Sequence, residues 1–212
     1  MTRVRFSAAL VFGAPIFAGT MPEPRLELWV YNQAGVSTSI LAPAAQLVIS
    51  VFERAGTTLV WSDCPGPDCP ETFGPNSLVV KVIRRENTSR MEWPNGACGV
   101  ALASDDSGFY ALIDYDCVVA CGTPAETSSI LGHAVAHEIG HLLLGDRGHS
   151  AAGVMKKRWG VAEKTHMQQK RLLFGPEEAV RIRNALRRRL ARHATLISVG
   201  PDHPRSQTPQ VR

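Results

Sequence analysis

Four histidines and two acidic residues lie in the apolar stretch ILGHAVAHEIGHLLLGDRGHSAAGVM, residues 130–155. His137 and His141 are four residues apart, so on a helix their rings project side by side from one face. Two imidazoles at this spacing can bind one zinc ion without strain. Glu138 is turned partly off that face, where its carboxylate can reach a zinc-bound water without binding the metal. The spacing therefore predicts a hydrolytic zinc site.

A third ligand has to come from another part of the chain, because three histidines on one straight helix cannot converge on one ion. This geometry disfavours His133, which we interpret as a core-facing residue or one that supports the ligands. Gly145 can end the helix in a left-handed conformation and turn the chain sharply, which predicts His149 as the third ligand. The acidic residues that could take its place are Asp146, Glu163, Glu177 and Glu178.

The competing interpretation is a buried helix that carries imidazoles and binds no metal, because a bare H-E-x-x-H match arises by chance. Here an apolar helix, a glycine stop, a third histidine and a strand-rich N-terminal half occur together. Their coincidence favours the zinc site.

The stretch HEIGHLLLGDRGHSAAGVM resembles the metzincin zinc peptidases, and among them the matrixin-like ones, whose third histidine is followed by Ser and then by a turn with Met. The resemblance implies a zincin-like fold and a zinc-dependent endopeptidase with a peptide or protein substrate. Its zinc ligands would be His137, His141 and His149. Glu138 would be the general base and acid, and Met155 the methionine whose turn underlies the metal.

The spacing departs from the metzincin pattern H-E-x-x-H-x-x-G-x-x-H, because the glycine comes one residue later and the last histidine two residues later. Arg147 stands where the strict spacing would place the ligand. Since the HSAAGVM unit moves together with His149, we interpret the change as a two-residue extension of the turn. The longer pattern, with its LLF-x-PEEA-x-RIR segment, also resembles a group of exported bacterial zincin-like proteins without a known substrate.

Length and composition indicate one globular domain with short extensions. The chain has 212 residues, of which 44% are hydrophobic and 20% charged. Two arginines and then an apolar run predict a signal peptide over residues 1–20 and a secreted or periplasmic protein. That run is too short to span a bilayer, so no stable membrane insertion is expected. The domain is expected over 21–195, followed by a flexible tail over 196–212.

Five cysteines agree with an oxidising compartment. Cys64 and Cys69 flank the turn-forming PGPD and are predicted to form a disulfide, whereas CPGPDC lacks the second pair that a zinc knuckle needs. If Cys117 and Cys121 lie on one strand, they are about 13 Å apart at ~3.3 Å per residue and cannot pair. Cys98 is then a possible partner for either, and one thiol stays unpaired.

The hydrophobic periodicity predicts an α/β (α+β) fold, a twisted mixed sheet covered by two helices, followed by a helical C-terminal region. The active-site helix is expected over 127–145 with a hydroxyl cap at Thr127 or Ser128. The other expected elements are strands at 25–32, 57–61 and 77–85, a helix at 37–56, and a hairpin at 99–120 that turns at Asp105 to Gly108.

The C-terminal region is predicted to form an amphipathic helix over 176–194. Its apolar stripe consists of Ile182, Leu186 and Leu190. Residues 151–212 carry 14 Lys/Arg against 4 Asp/Glu, while residues 1–150 carry 9 against 15. Six arginines on this helix could bind a membrane surface or nucleic acid. A solvated face is the more common role of such charges, so no nucleic-acid partner is expected.

Two further hypotheses assign the protein a function other than catalysis. A non-proteolytic zinc-binding or structural module would need the histidines but no Glu138, so that acid favours catalysis. A surface-binding protein would depend on the arginine-rich helix instead of the histidines. For a peptidase, the substrate would pair with a sheet-edge strand, for which GFYALIDYD at 108–116 is the candidate.

Overall fold

The computed structural model describes residues 25–64, 69, 71–88, 93–94, 96–102, 110–145 and 148–198. Within them the strands are β1 Arg25–Asn32, β2 Thr58–Cys64, β3 Ser77–Ile83, β4 Gly99–Leu102 and β5 Tyr110–Asp114. The α-helices are α1 Thr38–Arg54, α2 Tyr115–Ala120, α3 Thr127–Leu144, α4 Val161–Gln168 and α5 Pro176–Ser198, and Arg85–Thr88 forms a 3₁₀ turn. The predicted signal peptide, the hairpin turn at 105–108, Asp146 and most of the predicted tail lie outside the described residues.

The five strands form one mixed sheet in the order β2-β1-β3-β5-β4. All neighbours are parallel except β4, which runs antiparallel to β5. The edges of the sheet are therefore β2 and β4. The prediction that the substrate pairs with an edge strand at 108–116 is wrong. This segment contains β5, which lies between β3 and β4, so its backbone groups already face two neighbours.

One face of the sheet is buried beneath α1 and α3, as the two-helix layering predicted. Alternate residues of the central strands form this face, and they are fully buried: Leu26, Leu28, Val30, Leu78, Val80, Val82, Ala111 and Ile113. The two helices pack closely against each other at Gly132 of α3. A Cβ there would lie 2.9 Å from the Ala44 carbonyl oxygen of α1. The core thus holds α3 rigidly against the sheet.

The second strand of the predicted hairpin is shorter than expected, because Asp114 ends β5 and caps α2. The Asp114 carboxylate accepts hydrogen bonds from the backbone N–H groups of Asp116 and Cys117. A carboxylate in this position favours helix initiation over strand continuation. Cys117 therefore lies in α2 with Cys121 at its C-cap, so the condition that both cysteines lie on one strand is not met.

The structure contains two disulfides, Cys64–Cys69 and Cys98–Cys117. The first confirms the pairing predicted across the PGPD turn, and the second assigns Cys98 to one of its two possible partners. Cys121 is an exposed free thiol whose sulfur lies 3.5 Å from that of Cys98. Two disulfides are consistent with an extracellular location.

Three helix details differ from the predictions. Glu126, rather than a hydroxyl residue, occupies the N-cap of α3. Helix α4 was not predicted, since its eight residues are too short and polar to give a clear period. Helix α5 continues to Ser198, and Leu190 of its predicted apolar stripe is 45% exposed while Ile182 and Leu186 are buried. No described helix is long and apolar enough to cross a membrane.

Candidate metal centre

Helix α3 carries two of the predicted ligands on one face. The Nε2 atoms of His137 and His141 are 3.1 Å apart, and their ring centroids are separated by 4.7 Å. The helix is buried on nearly all sides, because it packs against α1 and against β4 and β5. The rigid helix therefore fixes both imidazoles relative to each other.

Gly145 ends α3 in the left-handed conformation, with φ 69°, and its N–H donates to the His141 carbonyl oxygen. The chain then returns His149 to the other two histidines. The His149 ring centroid lies 5.4 Å from that of His137 and 5.0 Å from that of His141. One ring nitrogen from each residue falls within a group whose members are all within 4.8 Å of one another. The structure thus brings together the three histidines that the sequence singled out.

His133 has a different environment although it lies on the same helix. Its Nδ1 donates to the Ser129 carbonyl oxygen at 2.8 Å, and its ring packs against Trp159. The residue is only 1% exposed, and this burial lowers the pKa of its imidazole. The structure therefore places His133 in the core, as expected.

The acidic residues that were considered as alternatives to His149 make other contacts, as far as the structure describes them. Glu163 binds Lys156 at 2.6 Å and the Gly160 N–H at 2.8 Å. Glu178 accepts hydrogen bonds from the Gly175 N–H and the Ser150 hydroxyl. Among the described residues, no carboxylate joins the histidine cluster. The predicted alternatives Glu163, Glu177 and Glu178 are thus not members of the cluster.

The protonation of His137 suits a metal ligand. Its Nδ1 donates to the Val154 carbonyl oxygen at 2.7 Å, so Nε2 is left with a lone pair that points toward His141. Burial lowers the pKa of His137 to about 4, a value that includes a smaller lowering by the two neighbouring imidazoles and an opposing effect of the hydrogen bond to Val154. Neutral imidazole is the form that binds metal. Three such nitrogens, one of them oriented by a backbone carbonyl, fit the donor set of a zinc site that keeps a fourth position open.

Glu138 lies beside this cluster and is buried against β4. Burial raises the pKa of its carboxyl group to about 8, although a hydrogen bond from the Ala101 backbone opposes the shift. A nearby cation would favour the carboxylate form. A Cβ added to Gly99 would lie 2.5 Å from Cγ and Oε1 of Glu138, so only glycine fits there without displacing the acid.

Gly99 and Trp159 were missed by the sequence interpretation. A glycine inside a predicted strand signals a close approach of another group to the backbone, and that signal was present at Gly99. The Trp159 ring lies 5.7 Å from the His137 ring, on the side toward His133. No local pattern could reveal this contact, because it depends on how the chain returns after the turn.

The turn with Met155 lies directly beneath α3. Met155 is 1% exposed, and its sulfur would be 2.3 Å from a Cβ added to Gly140, the residue before His141. The neighbouring Val154 N–H donates to the Leu173 carbonyl oxygen at 3.0 Å. The backbone of this turn therefore connects the metal-facing helix with the segment before α5.

The fold is zincin-like, and one solved structure with which it compares is archaemetzincin from Methanopyrus kandleri. The two chains superpose with a TM-score of 0.50 and 14% sequence identity, over 81% of this chain and 98% of the other. At this identity the comparison concerns the fold alone. No protein-family profile and no curated protein sequence matches the chain.

Proposed function

We propose that the protein is a zinc-dependent endopeptidase. The observation that carries this proposal is the convergence of three histidine side chains with Glu138 directly after the first of them. His137, His141 and His149 would hold the metal. The zincin-like fold supports the proposal, and within it helix α3 places Glu138 against the edge strand β4.

The metal and the acid would divide the chemistry of peptide hydrolysis. Zinc, when bound, would polarise the scissile carbonyl and make a water molecule acidic enough to lose its proton near neutral pH. Glu138 would accept that proton and return it to the leaving amine nitrogen. The hydrogen bond from the Ala101 backbone would orient the Glu138 carboxylate for both steps.

The substrate would bind in an extended conformation along β4. This strand is an edge of the sheet, and its residues Gly99 and Ala101 contact Glu138. An extended peptide added to this edge would gain backbone hydrogen bonds and pass close to the acid. We also propose that the protein acts outside the cytoplasm, in agreement with its two disulfides.

The test is to measure zinc by mass spectrometry on the purified protein and then the cleavage of a peptide library. We expect about one zinc per chain and cleavage that stops with a chelator and returns with added zinc. Zinc without any cleavage would favour a non-proteolytic zinc module. Absence of bound zinc would mean that α3 is simply a core helix with imidazoles.

Gly99→Ala is expected to lower the peptidase rate at least tenfold without loss of zinc. The new methyl group needs the space of the Glu138 side chain, so either the acid or β4 must move. Gly74→Ala is the matched control, because its Cβ would make an ordinary contact at 3.5 Å with the Ser77 hydroxyl. Rate, zinc content and melting temperature should be measured together. An unchanged rate in Gly99→Ala would contradict the close packing of β4 on the acid.

A further inference from the structure

Helices α4 and α5 begin in the same way, with a glycine followed three residues later by a glutamate. Glu163 Oε2 accepts the Gly160 N–H at 2.8 Å, and Glu178 Oε2 accepts the Gly175 N–H at 2.7 Å. This is the glutamate half of a capping box, which satisfies an N–H at the start of each helix. Both glutamates are buried, at 9% and 8% exposure.

The second oxygen of each glutamate reaches the turn that follows His149. Glu163 Oε1 binds the Lys156 ammonium at 2.6 Å, and Glu178 Oε1 accepts the Ser150 hydroxyl. Ser150 and Lys156 are themselves partners in an isolated β-bridge, and the Ser150 N–H donates to the Met155 carbonyl oxygen at 2.9 Å. The two glutamates therefore hold the two ends of one closed loop of the backbone.

This loop, residues 150–156, touches the candidate metal centre at several points. His149 directly precedes it, and the Val154 carbonyl oxygen fixes the tautomer of His137. Met155 packs beneath α3 at Gly140. Displacing the loop would therefore move one ligand and loosen the orientation of another. Groups that orient metal ligands typically contribute about 10–100-fold to metal affinity or activity.

We propose that Glu178 and Glu163 are positioning residues for the metal centre, each acting through the residue that it binds at one end of this loop. The inference rests on the proposed zinc site. Glu178 should have the larger effect, because its partner Ser150 is adjacent to His149. Glu163 acts through Lys156, which is seven residues from His149 and is 34% exposed.

The test compares Glu178→Gln and Glu163→Gln with Glu177→Gln. Glutamine keeps the size of the side chain, but only one of its two terminal atoms can accept a hydrogen bond. Glu177 is exposed in the same first turn of α5, so its variant removes the same charge without touching the loop. We would measure zinc affinity by competition with a chromophoric chelator and record the absorption spectrum with cobalt(II) as the probe metal. The expected result is zinc binding about tenfold weaker in Glu178→Gln, a smaller loss in Glu163→Gln, and none in Glu177→Gln.

Ser150→Ala separates positioning from helix capping. This variant removes the Ser150 hydroxyl but leaves the contact of Glu178 with the Gly175 N–H. The start of α5 therefore stays capped. We expect the same loss of zinc affinity as in Glu178→Gln, a changed cobalt spectrum, and no further loss in the double variant. If Ser150→Ala and Glu178→Gln both bound zinc as tightly as the wild type, the positioning role would be overturned while the zinc site itself would stand. A wild-type protein that binds no zinc would overturn both proposals.

Discussion

Glu138→Gln is expected to lower kcat/KM for a cleaved peptide by about 10²–10⁴-fold, the usual contribution of a general acid–base group. The amide has the shape of the carboxyl group but cannot accept the proton of the attacking water. Zinc content should stay near that of the wild type, because Glu138 is not among the three convergent nitrogens. The loss should appear in kcat more than in KM, since proton transfer belongs to the transition state.

The matched control for this variant is Glu53→Gln. Glu53 is an exposed residue of α1. It removes the same charge and should leave activity and zinc content unchanged. Full activity in Glu138→Gln would contradict the assigned base. Loss of zinc together with activity would instead assign Glu138 a structural role in keeping the site assembled.

The candidate site could be predicted from the sequence because its main determinants are local. Helical spacing sets the relation of His137 to His141, and a left-handed glycine at position 145 sets the direction in which the chain leaves the helix. The turn is two residues longer than the metzincin pattern, yet His149 still reaches the cluster. The two extra residues in the sequence therefore do not separate His149 from the other two histidines.

The edge of the sheet could not be predicted, because strand order depends on pairing between distant segments. The hairpin at β4 and β5 was expected, and its antiparallel pairing is confirmed. Local patterns do not say which strand of a hairpin joins the sheet. In the structure β3 pairs with β5, which leaves β4 as the edge next to Glu138.

The acidic residues illustrate a second limit of sequence interpretation. Asp114, Glu163 and Glu178 all have the chemistry of a metal ligand, yet in the structure each accepts a backbone N–H at the start of a helix. The spacing of glycine and glutamate in G-x-x-E could have indicated the capping role of the last two. Their contacts with Lys156 and Ser150 could not be foreseen, since they join segments that only the folded chain brings together.

His149→Ala is expected to reduce zinc from near one per chain to near zero after dialysis against low free zinc. Two imidazoles on one helix would remain, and a catalytic zinc site typically needs three protein ligands. His149 is exposed, so the free energy of unfolding of the metal-free protein should change by no more than about 0.5 kcal/mol. The variant thus separates loss of the metal from loss of the fold.

The stability of the two proteins in zinc provides the decisive comparison. Free zinc at 100 times its dissociation constant should stabilise the wild type by about 2.7 kcal/mol, because it binds only the folded state. His149→Ala should show almost none of this increase, whereas His166→Ala, an exposed histidine on α4, should show all of it. If His149→Ala kept both zinc and the stabilisation, the third ligand would lie elsewhere in the turn after Gly145. The histidine that departs from the metzincin spacing would then be incidental to the site.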